Sequence, residues 1–201
     1  MAHLDPGSQL VSASKGIEVS TGRRMDQVFS EVLPREQAHR LTILSGPSFS
    51  IEVCQEAPTA VVVASRSDRA ALEAQEAFQT EYFRVYTNPD VLGVELGGAL
   101  KNVIALAAGV VAGMGFGHNT LAALITRGLA EITRLGVAMG ADPATFSGLA
   151  GMGDLVLTCT GSLSRNRTVG YRIGQGETLD QILGSTRSVA EGVRTVQAVR
   201  E

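Results

Sequence analysis

The chain has 201 residues, 44% hydrophobic and 18% charged, enough for a sizeable core and one or two domains. Its net charge of −3 supplies no basic field for nucleic acid or for an anionic membrane. Cys54 and Cys159 lie far apart with no CxxC or Cys/His ligand spacing, so neither a disulfide nor a metal site is expected, and the thiols read as reduced in a cytoplasmic protein.

In chain order, the N-terminus has no charged-then-apolar signal pattern. Gln9 to Ser14 reads as a short strand delivering Lys15 at its C-terminal end, with Gly16 turning the chain. A polar helix is predicted over Met25 to Leu33, stopped by Pro34, and Leu41 to Leu44 is the next buried strand. Ser45-Gly46-Pro47-Ser48-Phe49-Ser50 follows it, where a helix starting near Ser48 would offer free N–H groups to an anion; an ordinary loop and cap is the plainer reading of that spacing. Thr59 to Ala64 is the clearest strand, Asp68 to Gln79 a helix capped by Ser67 or Asp68, and Phe83 to Tyr86 another strand. Near-continuous apolar strands alternating with helices predict parallel βαβ units in an α/β layer.

Near Asn88-Pro89 the pattern changes to helical periodicity alone: 91–112, about 119–139, a short piece after Pro143, then 164–174, 178–183 and 190–200. The expected architecture is therefore α/β over 1–88 and all-helical over 89–201, with a crevice between them. A dinucleotide-binding layer would open on a strand and G-x-G-x-x-G. Here Gly151-Met152-Gly153 meets Val156 where the third glycine belongs, and Gly113, Gly115 and Gly117 follow a helix, so neither fits.

The stretch Val91 to Gly117 carries one acid, Glu95, and one polar pair, Lys101-Asn102. Its unbroken apolar part, Val103 to Gly117, is too short and glycine-rich for a membrane span, and a buried helix is expected instead. A buried helix rarely carries a lysine without a reason. Of the 17 basic residues only Lys15 and Lys101 are lysines, the rest arginines. Guanidinium keeps its proton, whereas a desolvated ammonium can lose one, so both lysines are candidates for acid–base chemistry. Farther on, Asp154 and Thr158 stand four apart, on one helix face. Ser164-Arg165-Asn166-Arg167 supplies hydroxyl, guanidinium and amide groups suited to a phosphate, though alone it also reads as a solvated helix start.

Taken in order, SASKGIE, LSGPSF, ELGGALKNVIALAAG, GMGDLVLTCT, SRNRTVG and SVAEG resemble the NAD(P)-dependent glycerol-3-phosphate dehydrogenases, most of all the bacterial type, over nearly the whole chain. The resemblance implies the second half of a Rossmann-like parallel-sheet domain followed by a helical substrate domain. The family's first half, with its Gly-rich turn, would precede Met1, and further helix would follow Glu201. The chain is thus expected to be a middle piece, inactive or nearly so by itself. The resemblance also implies a reaction, dihydroxyacetone phosphate with NAD(P)H to sn-glycerol 3-phosphate, feeding phospholipid synthesis in the cytoplasm. Lys101 matches the catalytic lysine, Lys15 a second active-site lysine beside substrate and cofactor, and Asp154 and Thr158 the residues that orient the reacting groups. Gly46 and Ser48 match substrate-lining positions; Ser164, Arg165 and Asn166, assisted by Asn102, match the phosphate site. Ser50, where the family usually has alanine, would meet the cofactor with Arg165, Val189 and Glu191. No nucleic-acid partner or membrane insertion is implied, and oligomeric state is left open, a homodimer included. Two other readings compete: a hydroxyacid-type dehydrogenase of the same plan, which SRNR and GMGD oppose, and a non-catalytic phosphate-ligand binding module, since the pyrophosphate turn is absent.

Overall fold

The computed structural model describes residues 5, 7–185 and 189–200. Strand β1 (Val11–Ser12) pairs in parallel with β2 (Thr42–Ser45), placing Val11 opposite Thr42. Between them lie α1 (Met25–Val32) and α2 (Arg35–Arg40). Helix α3 (Ser50–Cys54) leads to β3 (Thr59–Ser65), and α4 (Asp68–Phe78), capped by Ser67, crosses to β4 (Phe83–Asn88), parallel to β3. The sheet order is β1-β2-β3-β4.

One expectation needs correcting: β2 and β3 run antiparallel, Thr42 facing Ser65. A parallel return needs a crossover that spans the length of the sheet. The link from β2 to β3 holds only the five-residue α3, so the chain turns back instead. The sheet is mixed, and the parallel rule holds for its outer pairs. Strand β1 is also shorter than the predicted 9–14 run, and α2, which Pro34 caps, was not foreseen.

The helical portion follows: α5 (Val91–Gly113), α6 (His118–Ala138), α7 (Pro143–Ser147), a π-helical turn at Leu149–Gly153, α8 (Asp154–Thr160), α9 (Arg165–Gly174), α10 (Leu179–Ser185) and α11 (Glu191–Arg200). Asp90 starts α5 by accepting a hydrogen bond from Gly93 N at 2.8 Å. Taken whole, α5 is long and apolar enough to cross a membrane by length and composition alone, with a mean hydropathy of 1.6 over an 18-residue window. Most of that window is nevertheless buried inside the protein.

Both portions of the chain bury α5. Its first turns, Val91 and Val94, join Leu41 and the sheet residues Ile43, Val62 and Ala64 in one apolar cluster. Leu96 and Leu100 pack with Ile132, Ala141 and Phe146, and Ala105 and Ala108 with Leu155 and Cys159. Glycine brings α9 against it at backbone distance: a Cβ on Gly109 would lie 2.1 Å from the Arg167 carbonyl oxygen, and one on Gly170 2.0 Å from that of Leu106. The start of α9 is thereby carried up to the middle of α5, where Lys101 sits.

Candidate active site

Lys101 faces inward from the third turn of α5 and is 7% exposed. Its Nζ donates to Asp154 Oδ1 and, at 2.9 Å, to Thr158 Oγ1. Lys15, arriving from the end of β1, donates to the other oxygen of the same carboxylate, Oδ2, at 2.6 Å and lies 3.5 Å from the Gly46 carbonyl. One buried carboxylate thus bridges both lysines of the chain. Thr158 also donates to the Asp154 carbonyl at 2.6 Å, so the α8 turn holds acid and hydroxyl in one frame. Removal from water pulls the Lys101 ammonium down from its ordinary 10.5 to about 8; the nearby Lys15 charge adds to the fall, and Asp154 opposes it. An amine in that range can give or take a proton near neutral pH.

The second half of the site is the start of α9. Ser164 caps it, accepting from Arg167 N at 3.2 Å, and general helix geometry leaves the first N–H groups without intrahelical partners and with a partial positive charge. Asn166, buried, donates from Nδ2 to Asn102 Oδ1 at 3.0 Å and accepts from Gly192 N at 2.9 Å. Arg165 Nη2 donates to Glu191 Oε1 at 2.8 Å. A crevice of about 720 Å³ connects the halves, lined by Lys15, Lys101, Asn102 and Thr158 together with Ser164, Arg165, Asn166 and Glu191. That volume suits a small-molecule ligand.

Ser48 and Ser50 also line this crevice, with Phe49 and Ile51 beside them. Helix α3 begins at Ser50, two residues later than predicted, capped by Phe49. Gly46 lies behind the wall: its φ of +130° and a virtual Cβ 3.0 Å from Val61 Cα require glycine there. Asp154 stands behind the two lysines. Val189 is exposed and is not part of the crevice wall. Ser188, which opens SVAEG, lies outside the described residues. The sequence reading missed Gly192, whose close approach to Asn102 and Asn166 only coordinates reveal, and the apolar walls Phe49, Ile51 and Leu163. It also missed that Asp26 is the partner of the lone α5 acid: Asp26 N donates to Glu95 Oε1 at 2.9 Å.

Residues 90–201 match the family model described as NAD-dependent glycerol-3-phosphate dehydrogenase C-terminus, and residues 1–71 match the corresponding N-terminus model. The chain is 67% identical to a glycerol-3-phosphate dehydrogenase (NAD(P)+) of Geobacter metallireducens over 97% of its own length and 58% of that protein's. It is 66% identical to the enzyme of the same name from Citrifermentans bemidjiense, over 94% of this chain and 56% of that one. The crystal structure of glycerol-3-phosphate dehydrogenase from Coxiella burnetii superposes with a TM-score of 0.88 at 37% identity, covering 98% of this chain and 59% of that one. The chain spans a little over half the length of the curated relatives it matches.

Proposed function

The chain belongs to the NAD-dependent glycerol-3-phosphate dehydrogenase family, and from that premise we propose that it serves the NAD(P)H-linked interconversion of dihydroxyacetone phosphate and sn-glycerol 3-phosphate, in the cytoplasm. The observation that carries the reading is the Lys101–Asp154–Lys15 bridge opening onto the crevice that α9 closes with Ser164, Arg165 and Asn166. In this proposal residues 1–88 form the sheet-bearing cofactor side and 89–201 the substrate side.

The start of α9 takes the phosphate: Arg165 by charge-assisted hydrogen bonds, the helix N-terminus by its N–H groups, and Ser164, Asn166 and Asn102 from the sides. Ser48, across the crevice, meets the three-carbon body of the substrate, and Gly46 shapes the turn beneath it. Lys101 holds its proton at the carbonyl oxygen of the ketone and releases it there as the alcohol forms; in the reverse direction the neutral amine takes it back. Asp154 and Thr158 fix the direction of Nζ, and the Lys15 charge favours the oxygen that becomes negative. The nicotinamide cofactor supplies the hydride when bound. Ser50, Arg165, Glu191 and Lys15 share one crevice and offer hydroxyl, guanidinium, carboxylate and ammonium groups fitting its ribose and phosphate parts; Val189, exposed and outside the crevice wall, is the one cofactor candidate that the crevice does not gather.

A thermal melt tests the reading. Dihydroxyacetone phosphate at a hundred times its dissociation constant adds about 2.7 kcal/mol to a folded state that binds it. The midpoint is expected to rise with the triose phosphate and the shift to vanish in Arg165→Ala. A cooperative melt indifferent to the ligand contradicts the phosphate assignment.

A further inference from the structure

The first two residues of α9 are both tied to the first two of α11. Arg165 Nη2 donates to Glu191 Oε1, and Gly192 N donates to Asn166 Oδ1. Asn166 Nδ2 continues the chain to Asn102 on α5, one residue from Lys101. The start of α11 has no room to slide toward them: a Cβ at Gly192 would stand 2.6 Å from the Asn102 carbonyl oxygen and 2.8 Å from Asn166 Oδ1. Glu191 therefore projects from a fixed point. Arg165 does not, since its side chain is 53% exposed on a long flexible stem.

From this closed set of contacts we infer that Glu191 is a positioning residue, which acts with Gly192 as a clip that holds the Arg165 guanidinium at the crevice wall, ready for a phosphomonoester. The inference deepens the phosphate reading of α9 and rests on it. The contact uses one of the five guanidinium N–H groups and leaves the others for an anion. Fixing a rotamer-rich side chain in advance removes part of the ordering cost of binding. A carboxylate so close to the anion also repels it; the two effects have opposite signs when Glu191 is removed, so binding reads their sum and the mobility of the ligand-free guanidinium reads the clip alone.

Titration calorimetry with sn-glycerol 3-phosphate is expected to show Glu191→Ala binding about threefold to tenfold more weakly, the worth of one immobilised long side chain. Glu191→Gln keeps an oxygen at the Oε1 position and is expected to restore the affinity to within about twofold. In the ligand-free protein, nitrogen-15 NMR of the Arg165 guanidinium is expected to show slow rotation in the wild type and in Glu191→Gln, and fast averaging in Glu191→Ala. A guanidinium equally mobile in all three proteins overturns the clip; unchanged or tighter binding in Glu191→Ala overturns its contribution to affinity. Arg165→Ala binding as well as wild type overturns instead the phosphate reading of α9, and the ligand-free NMR comparison still judges the clip.

Discussion

At the residue scale, two buried groups on α5 shift in opposite senses. Glu95 is pushed up from its ordinary 4.5 to about 8, first by burial and then by the Asp26 carboxylate beside it. Arg24 lies 3.3 Å from Glu95 and 3.1 Å from Asp26, and Arg66 reaches Asp26 at 2.5 Å, so the two acids sit between two guanidinium groups. The Arg24 Nε and Glu95 Oε2 atoms are close enough to attract yet are not aligned as a hydrogen bond. Because its folded pKa is raised, Glu95 contributes stability that is fully present below 4.5 and is lost as pH rises through about 8. Lys101 does the reverse: its lowered pKa costs stability while the amine is charged, and the cost is relieved as pH rises from about 8 toward 10.5. Urea unfolding across pH is therefore expected to show a decline from about pH 5 to pH 8 that Glu95→Gln flattens, and a recovery above it that Lys101→Met removes. Asp154→Asn deletes the group that supports the Lys101 charge and leaves two ammonium groups facing each other. The Lys101 pKa is expected to fall farther, and a rise would show that Asp154 is not its dominant partner. For the reaction proposed above, Lys101→Met is expected to lower dihydroxyacetone phosphate-dependent NADPH oxidation by about a hundredfold to ten-thousandfold.

At the element scale, the site depends on how closely α9 lies along α5. Gly109 and Gly113 on α5 meet Gly170 and Gly174 on α9, and a Cβ on Gly174 would stand 2.4 Å from the Val110 carbonyl oxygen. Gly170→Ala or Gly109→Ala must push backbone, not a flexible side-chain end. Overpacking of this kind costs about 1–3 kcal/mol, and it would also carry Asn166 away from Asn102. The expected result is a lower urea midpoint together with weaker binding of sn-glycerol 3-phosphate; an unchanged midpoint would mean that the helices tolerate wider spacing. This crossing shows where the sequence was readable and where it was not. The helices 91–112, 119–139 and 164–174 follow from periodicity and caps, and Lys101 stood out as the one base in an apolar run. That α5 and α9 meet through glycine could not be read, because the spacing of small residues fixes no partner. Nor could the antiparallel turn from β2 to β3, because the apolar runs LTIL and TAVVVA look alike in either direction. Asp154 was legible as a helix-face partner of Thr158 and, through the family resemblance, as the partner of Lys101; that it also holds Lys15 depends on a fold that brings residues 15, 101 and 154 together.

At the scale of the whole molecule, α5 is shared property. The cluster that joins Leu41, Ile43, Val62 and Ala64 to Val91, Val94 and Ala150 runs without a break from the sheet into the helices. The portions 1–88 and 89–201 are accordingly expected to unfold in one calorimetric transition, and two separated peaks would show that the junction contributes little. Phe146, fully buried against Gly136 and Gly151, fills the centre of the helical half. Phe146→Ala is expected to cost about 3–5 kcal/mol. The shared core also explains the place of the site: Lys15 comes from the sheet side, Lys101 from α5 and Asp154 from α8, so the crevice exists only when both portions are assembled.

Lys101, an amine of lowered pKa, is held against Asp154 beside the start of α9. A chain with only two lysines permits a direct measurement: nitrogen-15 labelling of lysine alone, with the Nζ signals followed across pH by NMR, with and without sn-glycerol 3-phosphate. The Lys101 signal is expected to titrate near 8 and to move when the ligand binds. A Lys101 signal that titrates near the ordinary 10.5 and does not respond to the ligand would contradict its assignment as the acid–base group.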